Sequence, residues 1–172
     1  MTPLNRILNE LVGFEYSQSF RKYWDLVALM QQRLETFILL TGILKKFVTK
    51  DTELMNHIKE VETVLLKTNE KMISGMNRTL DKKEEFYKRY DCGENMEEIY
   101  KLLESTNKLV LSLQNSFKEA YHCFIKLWLV VNEEVKMPEL PTLPVMEHIR
   151  FMDPEEHEKL KVRRIKIKNK RK

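Results

Sequence analysis

The chain reads as an all-α protein: an elongated antiparallel helical bundle, or coiled coil, of three long helices. A short N-terminal helix is expected before them and an extended basic C-terminal tail after them. Three observations predict this. All five prolines stand at position 3 or beyond position 137, so nothing from Leu4 to Met137 forbids a long helix. Across that stretch apolar residues recur every three or four positions, the spacing of one helical face. Hydrophobic residues make up 42% of the 172 and charged residues 33%, too apolar for a disordered chain and too charged for a membrane protein.

The elements follow in order. Thr2-Pro3 reads as an N-cap with proline at the first helical position, and Leu4, Ile7, Leu8 and Leu11 form a short stripe that Gly13 can close, giving a helix over 3–12. The next series is Phe20, Tyr23, Val27, Met30, Leu34, Phe37, Thr41, Leu44 and Val48, apolar except for Thr41, and predicts a helix over 17–48. Gly42 weakens it by about 1 kcal/mol, which packing must offset. Capping side chains at 49–52 favour a turn over a stutter. A third helix, 52–90, is drawn from Leu54, Ile58, Val61, Leu65, Thr68, Met72, Met76 and Leu80.

Asp91-Cys92-Gly93-Glu94-Asn95 is the clearest break. After it, Met96, Ile99, Leu103, Thr106, Val110, Leu113, Phe117, Ala120, Phe124, Leu127 and Val131 hold one face through 95–136, and Leu102, Leu109, Ile125, Trp128 and Leu129 widen it. A wide face meets two or more helices, so this is the expected core helix, and 1–137 is the helical domain. From Pro138 to Pro144 proline recurs every third residue, which fits an extended segment over 138–152. Asp153-Pro154-Glu155-Glu156 then offers a capping box, so 153–172 is expected to hold a short helix and the basic tail.

Charge is segregated. Residues 1–137 hold twenty Lys/Arg and twenty Asp/Glu, so the net +4 belongs wholly to 138–172. Residues 159–172 carry nine cations and no acid. Lys161, Arg163, Arg164, Lys166, Lys168, Lys170, Arg171 and Lys172 are thus the candidate polyanion contacts, for nucleic acid or the acidic surface of a microtubule.

Chemistry-bearing motifs are sparse. Glu119-x-x-His122 occurs once, whereas a dinuclear carboxylate site needs two such motifs and two further Glu. No phosphate loop, nucleophile elbow or zinc spacing occurs, so no enzyme activity, cofactor or metal is expected. Cys92 and Cys123 make no disulfide framework. The longest apolar-rich runs, 37–44 and 124–131, fall far short of the ~20 residues of a membrane span. The expected partners are instead other helical subunits. Leu140, Leu143, Val145, Ile149 and Phe151 present apolar side chains on an extended segment that a partner groove could bind. Leu103, Val110, Phe117, Phe124 and Trp128 offer the broad helical face, which three rods of about 60 Å are expected to be too slender to cover alone.

The string Met137-Pro138-Glu139-Leu140-Pro141 after a long helical body resembles the C-terminal end of subunit two of augmin. That resemblance implies a non-catalytic subunit of a helical complex of the mitotic spindle, in cytoplasm and cytoskeleton, working in microtubule-dependent microtubule nucleation. The order of helices and a proline-flanked segment is also similar to Mis12-type kinetochore subunits, which implies scaffolding and allows a nuclear location. A nucleic-acid-binding module acting through the tail is the remaining expectation from charge.

Overall fold

The computed structural model describes residues 3–48, 50–93, 95–135 and 149–152. Among these there are three α-helices and no strand: α1 (Pro3–Phe47), α2 (Thr52–Asp91) and α3 (Met96–Val135). The lead-in helix over 3–12 is not a separate element, because α1 runs unbroken for 45 residues. Gly13 does not end it. That glycine is buried, and a Cβ there would strike the ring of Tyr90 on α2. It is a notch for close helix packing and not a C-terminal cap.

The helix ends follow local chemistry. Lys45 and Lys46 lie in the last turn of α1, where cations suit the negative end of the helix dipole. The interruption near 49–52 is a turn. Asp51 caps α2, its Oδ1 accepting the Leu54 N–H at 3.0 Å and its carbonyl the Met55 N–H at 3.0 Å. After α2, Gly93 takes φ +74°, a left-handed conformation that favours glycine, and donates its N–H to the Tyr90 carbonyl at 3.0 Å. Asn95 then caps α3 through Oδ1, which accepts the Glu97 N–H at 2.9 Å.

The described residues fall into two compact units. Unit 1 comprises 3–26, 75–93, 95–112 and 151–152. There Gly13 lies against Tyr90, Ser17 against Tyr87 and Phe20 against Phe86, so numbers rise along α1 as they fall along α2: the pair is antiparallel. Tyr16 meets Tyr100 and Tyr23 meets Asn107, a constant offset that makes α1 and α3 parallel. Lys82 donates to Ser105 across α2 and α3 at 3.2 Å. The centre is aromatic: Phe20 stacks on Phe86 at 5.0 Å between ring centroids, and Tyr16, Tyr23 and Tyr100 are buried around them.

Unit 2 comprises 27–48, 50–74, 113–135 and 149–150. Phe37 sits at its centre, stacked on Phe124 at 4.6 Å and on Phe117 at 6.3 Å, with Met30, Leu34, Leu44, Ile58, Leu65 and Met72 fully buried in the same unit. Gln31, itself buried, donates to Glu35 Oε1 at 2.5 Å and to Asn69 Oδ1 at 3.2 Å. Lys45 pairs with Glu62, and Lys71 donates to Ser116 at 2.7 Å.

The sequence series for α1 and α3 matches these cores closely. All nine residues from Phe20 to Val48 are buried, as are all those from Ile99 to Val131. The α2 series departs after Met72: Met76 is half-buried and Leu80 exposed, while Gly75, Thr79 and Phe86 face inward. Thr79 can face inward because its hydroxyl donates to the Gly75 carbonyl at 2.5 Å, so no polar group is left unmet. Over Glu10–Phe47, α1 is long and apolar enough to cross a membrane on length and composition. Its inner face is nonetheless packed within the two units, from Tyr16 to Leu44.

Candidate interaction surface

The structure separates the expected partner-binding residues into three groups. Leu103, Val110, Phe117, Phe124 and Trp128 are buried in the chain's own cores. Helices α1 and α2 already cover the broad face of α3, through contacts such as Phe37 with Phe117 and Phe124. The five therefore serve internal packing, which corrects the expectation that neighbouring chains must cover them. Ile149 is also buried, within unit 2, whereas Phe151 in unit 1 stays 36% exposed beside a buried Met152. Leu140, Leu143 and Val145 lie outside the described residues, as do Lys161, Arg163, Arg164, Lys166, Lys168, Lys170, Arg171 and Lys172.

A different set of side chains is left open, at the start of α1. Leu4, Ile7, Leu11 and Phe14 are 57%, 54%, 54% and 62% exposed. Their 3-4-3 spacing puts them on one helical face. Where the stripe reaches Phe14, the core side of α1 is taken by Val12, Gly13 and Tyr16, all buried. Register explains much of the exposure. Gly13 is level with Tyr90, one residue before α2 ends, and Tyr16 is level with Tyr100, so α3 begins level with about Val12. The first two turns of α1 thus extend past the ends of α2 and α3, and no turn of either helix is there to shield them.

The sequence shows Leu4, Ile7 and Leu11 as a stripe but assigns them no partner, and it passes over Phe14. A usable signal was present. Counting back from Phe20 in steps of four and three reaches Tyr16 and Gly13, so the Leu4–Phe14 stripe cannot share the core face. Among the other exposed apolar residues Leu39 and Leu129 are single and ordinary for a protein surface, whereas Leu66, Ile73, Leu80 and Tyr87 recur every seven residues along α2 and are each less than half exposed.

Acidic side chains border this end of unit 1. Glu10 and Asp91 are both exposed, and both act on Tyr90. Burial pushes the Tyr90 phenol above the ordinary tyrosine range, and the two carboxylates push it in the same direction. Glu15 stands one position beyond Phe14, and Arg6 lies four positions before Glu10.

Elsewhere the chemistry is thin. In unit 2 an open depression of about 390 Å³ is lined by Asp51, Glu53, His57, Glu60 and Val130 among others, but Asp51 is engaged in capping α2. Glu119 and His122 are both exposed. Among the described residues no group of three His, Cys, Asp or Glu side chains could hold a metal ion. Cys92 is exposed and Cys123 half-buried, both as free thiols. No protein-family model, curated protein or solved structure matches the chain.

Proposed function

We propose that this chain is a non-catalytic helical subunit of a multi-protein assembly, and that it meets a neighbouring subunit through the Leu4–Phe14 face of α1. The observation that carries the reading is that face: four large apolar side chains, each more than half exposed, on one side of a helix that packs into unit 1 through Val12, Gly13 and Tyr16. A contiguous apolar patch of this kind is a recognised mark of an interaction site. The apolar residues Leu140, Leu143 and Val145 are a second docking element, interspersed with prolines that limit the entropy lost on binding. The cations from Lys161 to Lys172 supply the contact with a polyanion, a microtubule or nucleic acid.

The string Met137–Pro141 supports an augmin-like role at the mitotic spindle, in the cytoplasm and cytoskeleton, in microtubule-dependent microtubule nucleation. The order of helices followed by a proline-flanked segment supports, as a second reading, a scaffold subunit of the Mis12 kinetochore type. Neither role calls for a cofactor.

The test is purification of the tagged chain from dividing cells, beside the Ile7→Glu/Leu11→Glu variant. The wild-type chain should bring down a stoichiometric set of helical proteins, and the variant should lose them while melting like wild type. Recovery of the wild type as a lone monomer would refute the assembly role.

A further inference from the structure

From the charges that edge the exposed stripe we infer the partner's chemistry: an amphipathic helix with an apolar seam bordered by Lys or Arg. This rests on the assembly reading above. With Leu4 and Leu11 at heptad position a, and Ile7 and Phe14 at d, Glu10 falls at g and Glu15 at e. Those positions flank the seam on its two sides and set partner choice in a two-helix contact. Both are carboxylates. Val12, Gly13 and Tyr16, at b, c and f, belong to the chain's own packing, while the four seam residues stay more than half exposed.

A second copy of the same helix is a poor fit. In a parallel pair, Glu10 of one chain would stand against Glu15 of the other, setting like charges opposite each other on both sides of the seam. Asp91 at the end of α2 adds a further negative charge at this end, and Arg6 is the one basic residue between Leu4 and Phe14. A helix edged with cations meets complementary charge on both flanks; one edged with acids is repelled on both.

The experiment uses the full chain and two synthetic helical peptides of three heptads, with identical Leu/Ile seams and either Lys or Glu at every e and g position. Binding is followed by fluorescence anisotropy. The Lys-edged peptide should bind about fivefold or more tightly than the Glu-edged one at low salt, the difference shrinking in 1 M NaCl. Glu10→Lys/Glu15→Lys should reverse the preference, and Ile7→Glu/Leu11→Glu should abolish both interactions. Circular dichroism melts matching wild type establish that these exposed substitutions leave the fold intact.

Equal binding of the two peptides would overturn the inference. So would a dimer of the chain that Ile7→Glu/Leu11→Glu dissolves, or peptide binding that appears only once residues 153–172 are deleted. The first would assign the stripe to a second copy, the other to the chain's own basic segment. In cells the two readings separate. If the assembly survives Glu10→Lys/Glu15→Lys but not Ile7→Glu/Leu11→Glu, the subunit role stands and the basic-edged partner falls. If it survives both, the Leu4–Phe14 face is not the docking site, and the basic-edged partner falls with it.

Discussion

Unit 2 closes around phenylalanines and Trp128, whereas unit 1 buries three tyrosines and no tryptophan. The same three helices build both, so the difference lies in which side chains reach the centre. In unit 2 the Phe37 ring has neighbours in Phe117, Tyr121 and Phe124, and its stabilisation is mainly area removed from water, which is non-directional. In unit 1 the rings carry hydroxyls that need partners. Tyr23 donates to Asn107 Oδ1 at 3.4 Å, and Tyr87 shares a 2.6 Å hydrogen bond with Ser17. Directional bonds and the Gly13 notch tie α1 to one axial position against α2 and α3. That position leaves the first two turns of α1 beyond the ends of the other two helices. One unit is built for burial, the other for register.

Truncating the centre of unit 2 should have the largest effect. Phe37→Ala removes a fully buried ring and leaves a cavity, at a cost of about 3–5 kcal/mol, read as a lower urea midpoint. A loss below about 1 kcal/mol would show that the stacked rings do not hold that unit together.

The notch in unit 1 should respond more modestly and with a change of sign. Gly13→Ala alone should destabilise by about 1–3 kcal/mol, because Tyr90 must swing away from the new methyl group. In a Tyr90→Ala background the same substitution should stabilise by up to about 1 kcal/mol, since alanine is the better helix former. A double-mutant cycle with no coupling would place Tyr90 away from Gly13 and undo the register of α1 against α2.

Tyr90 also gives the smallest test, through pH. Its folded-state pKa is raised above the unfolded value, so the neutral phenol is favoured in the fold. The associated stability is fully present below pH ~10 and is lost as pH rises through the folded-state value. Denaturation between pH 8.5 and 11 should therefore show wild type losing stability faster than Tyr90→Phe, which has no phenol to ionise. Parallel slopes for the two proteins would remove Glu10, Asp91 and burial as influences on this ring.

Much of the fold was legible because helix grammar is local. The 3–4 series from Phe20 to Val48 and from Ile99 to Val131 names inner faces that are in fact buried, and Asp51, Gly93 and Asn95 mark helix ends by side-chain chemistry acting within a few residues. The misreadings share one cause. Gly13 looked like a helix terminator, and Leu80 looked more like a core residue than Gly75 or Thr79. Apolarity counts cannot see a position where the neighbouring helix demands a small side chain or where a hydroxyl finds a carbonyl four residues back.

By itself, then, the sequence determined that the described chain is helical, roughly where the helices end and which faces of α1 and α3 turn inward, since periodicity and caps act over a few residues. Tertiary structure alone decided that α1 and α2 cover the broad face of α3. It likewise set the level at which Gly13 meets Tyr90, and so which apolar stripe stays exposed. Those outcomes depend on pairing between residues 70 to 84 positions apart, which no local pattern encodes.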